Sequence, residues 1–337
     1  MYNSKIISSI AMTVAMMATT SCSSDKEEAN IIDRPTDVKI ENRQYSIDVL
    51  EALGRVSGPA VSPDGKKVLY NVSYESVEQN KSNNDLYVKN IDGTDSVRLT
   101  KTAKSEGGAA WIENGEKIAF LYADEAGVPQ LWVMNADGSG RKCVSSLENG
   151  VEGFKFSPDS KKVVLVSSVK YSREAKDVYS DLPEATGRII DDLMYKHWDQ
   201  WTKDIPHPFV ADFTGNKVEN VEDIMASEPY ECPMRPFGGV EAFAWSPDSK
   251  SLVYSSRKKT GLEYAVSTNS DLYLYSLEDK STRNLTEGMM GYDTNPAFSP
   301  DGTKLAWLSM EHDGYESDKN RIFIMDMATG EKTDLTS

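Results

Sequence analysis

Short apolar runs recur along this chain, and each is entered through nearly the same polar turn. "SPDGKKVLY" begins at Ser62, "SPDSKKVVLV" at Ser157, "SPDSKSLVYS" at Ser246 and "SPDGTKLAWLS" at Ser299. Proline fixes φ, the aspartate can bond its own backbone, and glycine or serine tolerates the tight reversal, so the motif predicts a hairpin turn feeding a buried strand. A degraded fifth copy, "WIENGEKIAFLY" at Trp111 to Tyr122, keeps the turn glycine Gly115, the lysine and the strand. A second pattern of strand, polar turn and short strand follows: "DLYVKNIDGTDSVRLT" (Asp85 to Thr100), "QLWVMNADGSGRKCVS" (Gln130 to Ser145), "DLYLYSLEDKSTRNLT" (Asp271 to Thr286) and "RIFIMDMATGEKTDLT" (Arg321 to Thr336). In the third unit "HPFVADFTGNKVENV" (His207 to Val221) fills this place.

Four strands per period predict an all-β chain, a β-propeller of four-stranded blades with five recognisable repeats and an incomplete ring. Turn-to-turn spacings run from about 45 to 53 residues, apart from one of 89. The long spacing marks an insertion in the third blade, at about 169–206, where the β pattern stops. There Ile190, Leu193, Met194, His197, Trp198 and Trp201 fall at helical spacing and predict a short amphipathic helix. Such a helix packs onto its own blade, or turns Trp198, Trp201, Arg188, Asp191 and Asp192 toward a substrate cavity, since propeller insertions commonly lie on the working face.

Charge narrows the function. Lys plus Arg total 37 against 53 for Asp plus Glu, a net charge of −16 that disfavours a nucleic-acid partner. The first segment reads as an export signal: Lys5, then the apolar run Ile6 to Ala18, then small residues leading to Cys22. A small residue directly before a cysteine resembles a bacterial lipobox, with Thr19 where a larger aliphatic residue is usual. Cys22 is then the lipidation site and a membrane anchor, the alternative being a plain cleaved signal. The expected organisation is a signal over 1–22, a tether over 23–44 and the propeller over 45–337. The acidic "SSDKEE" beginning at Ser23 also resembles a surface-export signal, so the expected location is the periplasm or outer membrane of a Gram-negative cell. Cys143 and Cys232 read as two separately buried thiols, with a bridge between them left open. The three histidines, His197, His207 and His312, form no zinc-type spacing, and the Asp-Gly turns read as hairpin turns instead of calcium loops, so no metal or cofactor is expected.

The blade turns, the hairpins ending in Leu-Thr and above all "HWDQWTKDIPHPFVADFTGN" (His197 to Asn216) resemble the N-terminal propeller of the prolyl-oligopeptidase family. The look is that of its bacterial dipeptidyl-peptidase V and acylaminoacyl-peptidase types, over nearly all of the chain from Tyr45 to Ser337. The resemblance implies a serine peptidase acting on peptides, in which the propeller gates access to a following α/β-hydrolase domain with a Ser-Asp-His triad. The chain departs from the family there: no Gly-x-Ser-x-Gly occurs, and "DGSGRK" at Asp137 to Lys142 lacks the spacing. No residue of this chain is therefore expected to be catalytic, and the hydrolase domain, or a partner chain completing the propeller, has to come from elsewhere. The alternative class is a non-catalytic TolB-like propeller lipoprotein that binds another envelope protein. In the peptidase reading Arg188, Asp191, Asp192, Trp198 and Trp201 are the substrate-binding candidates, the carboxylates for a free amino terminus and the tryptophans as walls.

Overall fold

The computed structural model describes residues 31–35, 38–40, 44–190 and 201–336. A short helix α1 (Ile47–Glu51), its first turn capped by the Ser46 hydroxyl accepting from the Val49 N–H at 3.2 Å, leads into five four-stranded antiparallel sheets. Blade one is β1 (Arg55–Val61), β2 (Lys67–Ser76), β3 (Lys81–Asn90) and β4 (Val97–Arg98). Blade two is β5 (Gly107–Ile112), β6 (Lys117–Ala123), β7 (Pro129–Asn135) and β8 (Lys142–Cys143). Blade three begins with β9 (Gly153–Phe156) and β10 (Lys162–Lys170). Its insertion then carries β11 (Arg173–Glu174), a single helical turn α2 (Ala175–Val178) and β12 (Arg188–Ile189), before β13 (Asp204–Phe213) and β14 (Val218–Asp223) complete the sheet. Blade four is β15 (Phe243–Trp245), β16 (Ser251–Ser256), β17 (Asp271–Ser276) and β18 (Thr282–Asn284), with helix α3 (Gly261–Val266) between its middle strands. Blade five is β19 (Thr294–Phe298), β20 (Lys304–Ser309), β21 (Arg321–Asp326) and β22 (Lys332–Asp334).

The expected β-propeller of five recognisable blades is thus the observed architecture, and the degraded second copy folds as a full blade. The insertion differs from expectation. Arg173–Glu174 pairs with Arg188–Ile189 in a two-stranded ladder, and the ends of the expected helix, Ile190 and Trp201, are not helical. Asp191, Asp192, Leu193, Met194, His197 and Trp198 lie outside the described residues, as does Cys22. Residues 31–35, expected in the tether, lie against blade one, where Ile32 is buried and Asp33 pairs with Arg98 and Lys101.

Each Ser-Pro-Asp turn closes by the same local chemistry. In blade four the Ser246 hydroxyl donates to Asp248 Oδ1 at 2.6 Å and accepts the Ser251 N–H at 2.9 Å, while Asp248 Oδ1 accepts the Lys250 N–H at 3.1 Å. The other three copies repeat these bonds around Ser62, Ser157 and Ser299. The residue after the aspartate takes positive φ, 61° at Ser249 and 72° at Gly302, which is why the motif alternates serine with glycine there. Serine, though strained, adds a contact to the preceding blade: the Ser160 hydroxyl accepts the Glu113 N–H at 3.0 Å and the Ser249 hydroxyl accepts that of Asp159 at 3.3 Å. The Ser299 hydroxyl, then the Thr303 backbone and side-chain donors, hold the Asp301 carboxyl down at about 2. That stabilisation is complete above the usual carboxylate pKa and is lost as pH falls through about 2. Ser246→Ala, which deletes two bonds in one turn, is expected to cost about 1 kcal/mol, read as a lowered urea midpoint at unchanged slope.

The core is a stack of layers between blades. Leu69, Leu86 and Val88 of blade one meet Ile118, Phe120, Trp132 and Met134 of blade two. The opposite face of blade two, through Ala119, Leu131 and Val133, meets Phe154, Val163 and Leu165 of blade three. Inner blades therefore bury both sheet faces, which explains why β6, β10 and β16 read as nearly continuous apolar runs. Blades one and five each leave an outer face exposed, with Val56 and Val61 on the first and Ile322 on the last.

Candidate functional site

In a four-stranded meander the first and third connections share one end, and the second connection shares the other with the links between blades. The Ser-Pro-Asp turns thus occupy one end of the propeller. The other end carries the insertion, the α3 loop (257–270), the blade-five loop (310–320) and the longest inter-blade connector, 224–242. A cavity of about 440 Å³ opens at this loop end, between blades four and five. Phe237 and Arg235 come from the connector, Arg257 and Thr268 from the α3 loop, Tyr292 from the link into blade five, and Met310 and Glu316 from the blade-five loop.

The sequence builds this cavity locally. Arg257 follows β16 directly and is 6% exposed, its guanidinium 4.9 Å from the centre of the Tyr264 ring on α3. Behind it the Tyr264 hydroxyl donates to the buried Glu231 carboxylate, which also accepts the Arg235 N–H at 3.2 Å. Burial first, and then the Glu231 charge, push the Tyr264 phenol well above its ordinary pKa, so it stays a neutral donor. Gly291 is required by close approach: a Cβ there would fall 1.6 Å from the Met310 carbonyl oxygen. Cys232, fully buried beneath, has its thiol pushed up by burial and donates to the Ser255 carbonyl at 3.3 Å; no disulfide joins it to Cys143, which is half-buried, not buried as expected. A second cavity, of about 630 Å³, runs along the innermost strands of blades one to three past Gly58, Gly108, Trp111 and Phe154. Its cation, Lys155, is tied to the Phe243 carbonyl at 2.5 Å.

Two of the sequence-derived candidates are described, and the structure brings them together. The Arg188 guanidinium lies 4.8 Å from the centre of the Trp201 ring, and the Trp201 indole donates to the Ser172 hydroxyl at 3.1 Å. They form a clasp at the insertion's stem, where the Tyr171 and Ser172 N–H groups share the Lys203 carbonyl. The cavity adjoins that stem, because the Arg235 guanidinium donates to the Asp204 carbonyl at 2.9 Å. Sequence reasoning missed Glu231, Arg257, Tyr264 and Tyr292; a usable signal was the run "EPYECPMRPFGG" from Glu228, whose prolines and glycines break the blade rhythm. His207 pairs with Asp223 and His312 with Asp318, each at 2.9 Å, and neither imidazole is hydrogen-bonded to a serine or cysteine among the described residues.

Comparison with known proteins agrees with the propeller fold. The TolB beta propeller domain family matches residues 35–191. Dipeptidyl-peptidase 5 of Porphyromonas gingivalis is 51% identical over 286 residues, covering 85% of this chain and 42% of that protein. Dipeptidyl-peptidase 5 of Porphyromonas endodontalis is 43% identical over 291 residues, covering 86% of this chain and 42% of that protein. The chain thus spans about two fifths of the length of these curated relatives. The Pyrococcus horikoshii acylaminoacyl peptidase superposes with a TM-score of 0.60 at 18% identity, over 85% of this chain and 40% of that one, a likeness of fold.

Proposed function

We propose, for a chain that corresponds to the β-propeller portion of prolyl-oligopeptidase-family peptidases, that it admits and orients short peptides for an exported serine peptidase of the dipeptidyl-peptidase type. The 51% identity over 286 residues to a dipeptidyl-peptidase 5 carries this reading. In it, bond cleavage belongs to a Ser-Asp-His hydrolase domain outside these 337 residues, since no Gly-x-Ser-x-Gly lies within them. The loop end faces that domain, the 440 Å³ cavity receives the peptide, and the insertion flanks it. Asp191 and Asp192, which lie outside the described residues, are the candidates to hold the peptide's ammonium group. The exposed outer faces of blades one and five take further blades or a partner chain. Cys22 carries the lipid that holds the protein in the periplasm or at the outer membrane.

The test is to recover the chain from its native envelope with an antibody against blade one, then apply a serine-reactive fluorophosphonate and a dipeptidyl nitroanilide. A labelled serine on the polypeptide that contains or accompanies the chain, with dipeptide release, is expected. A recovered chain with neither would replace this reading with a TolB-like protein-binding module. Within the active enzyme, the double change Asp191→Ala, Asp192→Ala is expected to raise KM about tenfold at similar kcat, the mark of lost ground-state binding. An unchanged KM would remove both carboxylates from the site.

A further inference from the structure

Arginines that are largely buried in this fold are supplied with carboxylates. Arg98 reaches Asp85 at 2.6 Å, Arg141 reaches Glu106 at 3.2 Å and Arg321 reaches Asp334 at 3.2 Å. Even Lys258, the residue after Arg257, sits 2.5 Å from Glu228. Arg257 is buried more deeply than any of these arginines, at 6% exposure, yet among the described residues no carboxylate oxygen lies within 4 Å of it. Among the described residues its one side-chain hydrogen bond is a 3.4 Å contact to the Tyr264 carbonyl, and its Nε has no partner there. The neighbouring acid, Glu231, is turned to the Tyr264 hydroxyl. A buried guanidinium is costly to leave unpaired, and this one lines a cavity.

We propose that Arg257 anchors a carboxylate-binding subsite at the floor of the loop-end cavity, and that its ligand is a monocarboxylate bearing an apolar group. The guanidinium offers a planar fork that matches a carboxylate. Pro236, Phe237, Tyr292 and Met310 supply the apolar walls, with the Phe237 ring 85% exposed at the lip. Glu316 at the cavity and the net charge of −16 select against polyanions such as phosphates or nucleotides. A peptide's free carboxyl terminus and an acidic side chain share this chemistry. The peptide nature of the ligand rests on the gating reading above, whereas the carboxylate contact does not.

The experiment is calorimetric titration of the chain with N-acetyl-leucine and with its uncharged amide, followed by acetyl-leucyl-aspartate amide, whose one carboxylate is a side chain. The wild type is expected to bind the acid at least tenfold more tightly than the amide. A ratio for the side-chain acid equal to that for the terminal acid assigns any carboxylate; a lower one assigns the carboxyl terminus. Arg257→Met, which keeps the stem and removes the charge, is expected to bring acid and amide within about twofold while the melting temperature stays within a few degrees. Arg257→Lys keeps a point charge without the fork and is expected to retain part of the preference, which covers the case in which the methionine variant fails to fold. Equal binding of acid and amide by the wild type, no binding of either, or an undiminished preference in the folded variants would overturn the subsite. If the subsite stands while the recovered chain has no peptidase activity, the gating reading fails alone.

Discussion

Trp307→Ala is expected to cost about 4 kcal/mol, enough to unfold a protein of ordinary stability at moderate denaturant. Trp307 is 2% exposed on β20, where it fills the layer between blades four and five beside Val253, Leu272 and Leu305. Its ring stacks on Phe323 at 5.5 Å between centres. Its indole N–H donates to Asp293 Oδ1 at 3.1 Å, and Asp293 is fully buried with its pKa pushed up to about 6, chiefly by burial. Truncation therefore opens a large void and takes a donor from a buried acid. Trp307→Phe separates the two effects: it keeps most of the apolar volume, removes only the N–H, and is expected to cost about 1–2 kcal/mol. Without that donor the Asp293 carboxylate is less favoured, so its pKa rises further and the folded state holds the proton to higher pH. The phenylalanine variant should accordingly lose more stability at pH 8 than at pH 5. Urea midpoints that fall equally at both pH values would mean the indole contributes volume alone.

The blades were legible in the sequence because their chemistry is local. A serine, an aspartate and two backbone N–H groups within six residues close four of the five inner turns, and Thr100, Ser145, Thr286 and Thr336 lock four of the five outer hairpins by accepting the N–H of Leu86, Leu131, Leu272 and Ile322. The cavity was not legible, because Glu231, Arg257 and Tyr292 stand on three separate connections and meet only when two blades stack. Nothing in the spacing of Arg257 shows that it, and not Lys258, lacks a carboxylate. Arg188 and Trp201 illustrate the intermediate case. Their residue types drew attention, but as walls of a cavity, whereas the two-stranded pairing of Arg188–Ile189 with Arg173–Glu174 turns them toward each other.

Stability is expected to fall as pH rises from about 5 to about 7, and Glu106 is the main reason. Glu106 is fully buried between blades one and two. It accepts the Thr100 and Thr102 hydroxyls at 2.8 Å each and lies 3.2 Å from Arg141, itself 3.9 Å from the centre of the Tyr122 ring. Burial pushes its pKa up to about 7 against the pull of Arg141 and the two threonines, and the nearby Asp85 charge adds to the rise. Above about 4.5 the unfolded chain releases this proton while the folded chain keeps it until about 7. The folded state thus binds more protons across that window, so its stability decreases with pH and levels off above it, by about 3 kcal/mol in all. Asp293, raised to about 6, contributes a slope of the same sign at the acid end of the window. The Glu106 share is therefore isolated above pH 6, where Glu106→Gln should flatten the profile while Trp307→Phe leaves the Glu106 step in place. A wild-type slope surviving in Glu106→Gln between pH 6 and 7.5 would move the titration to another group.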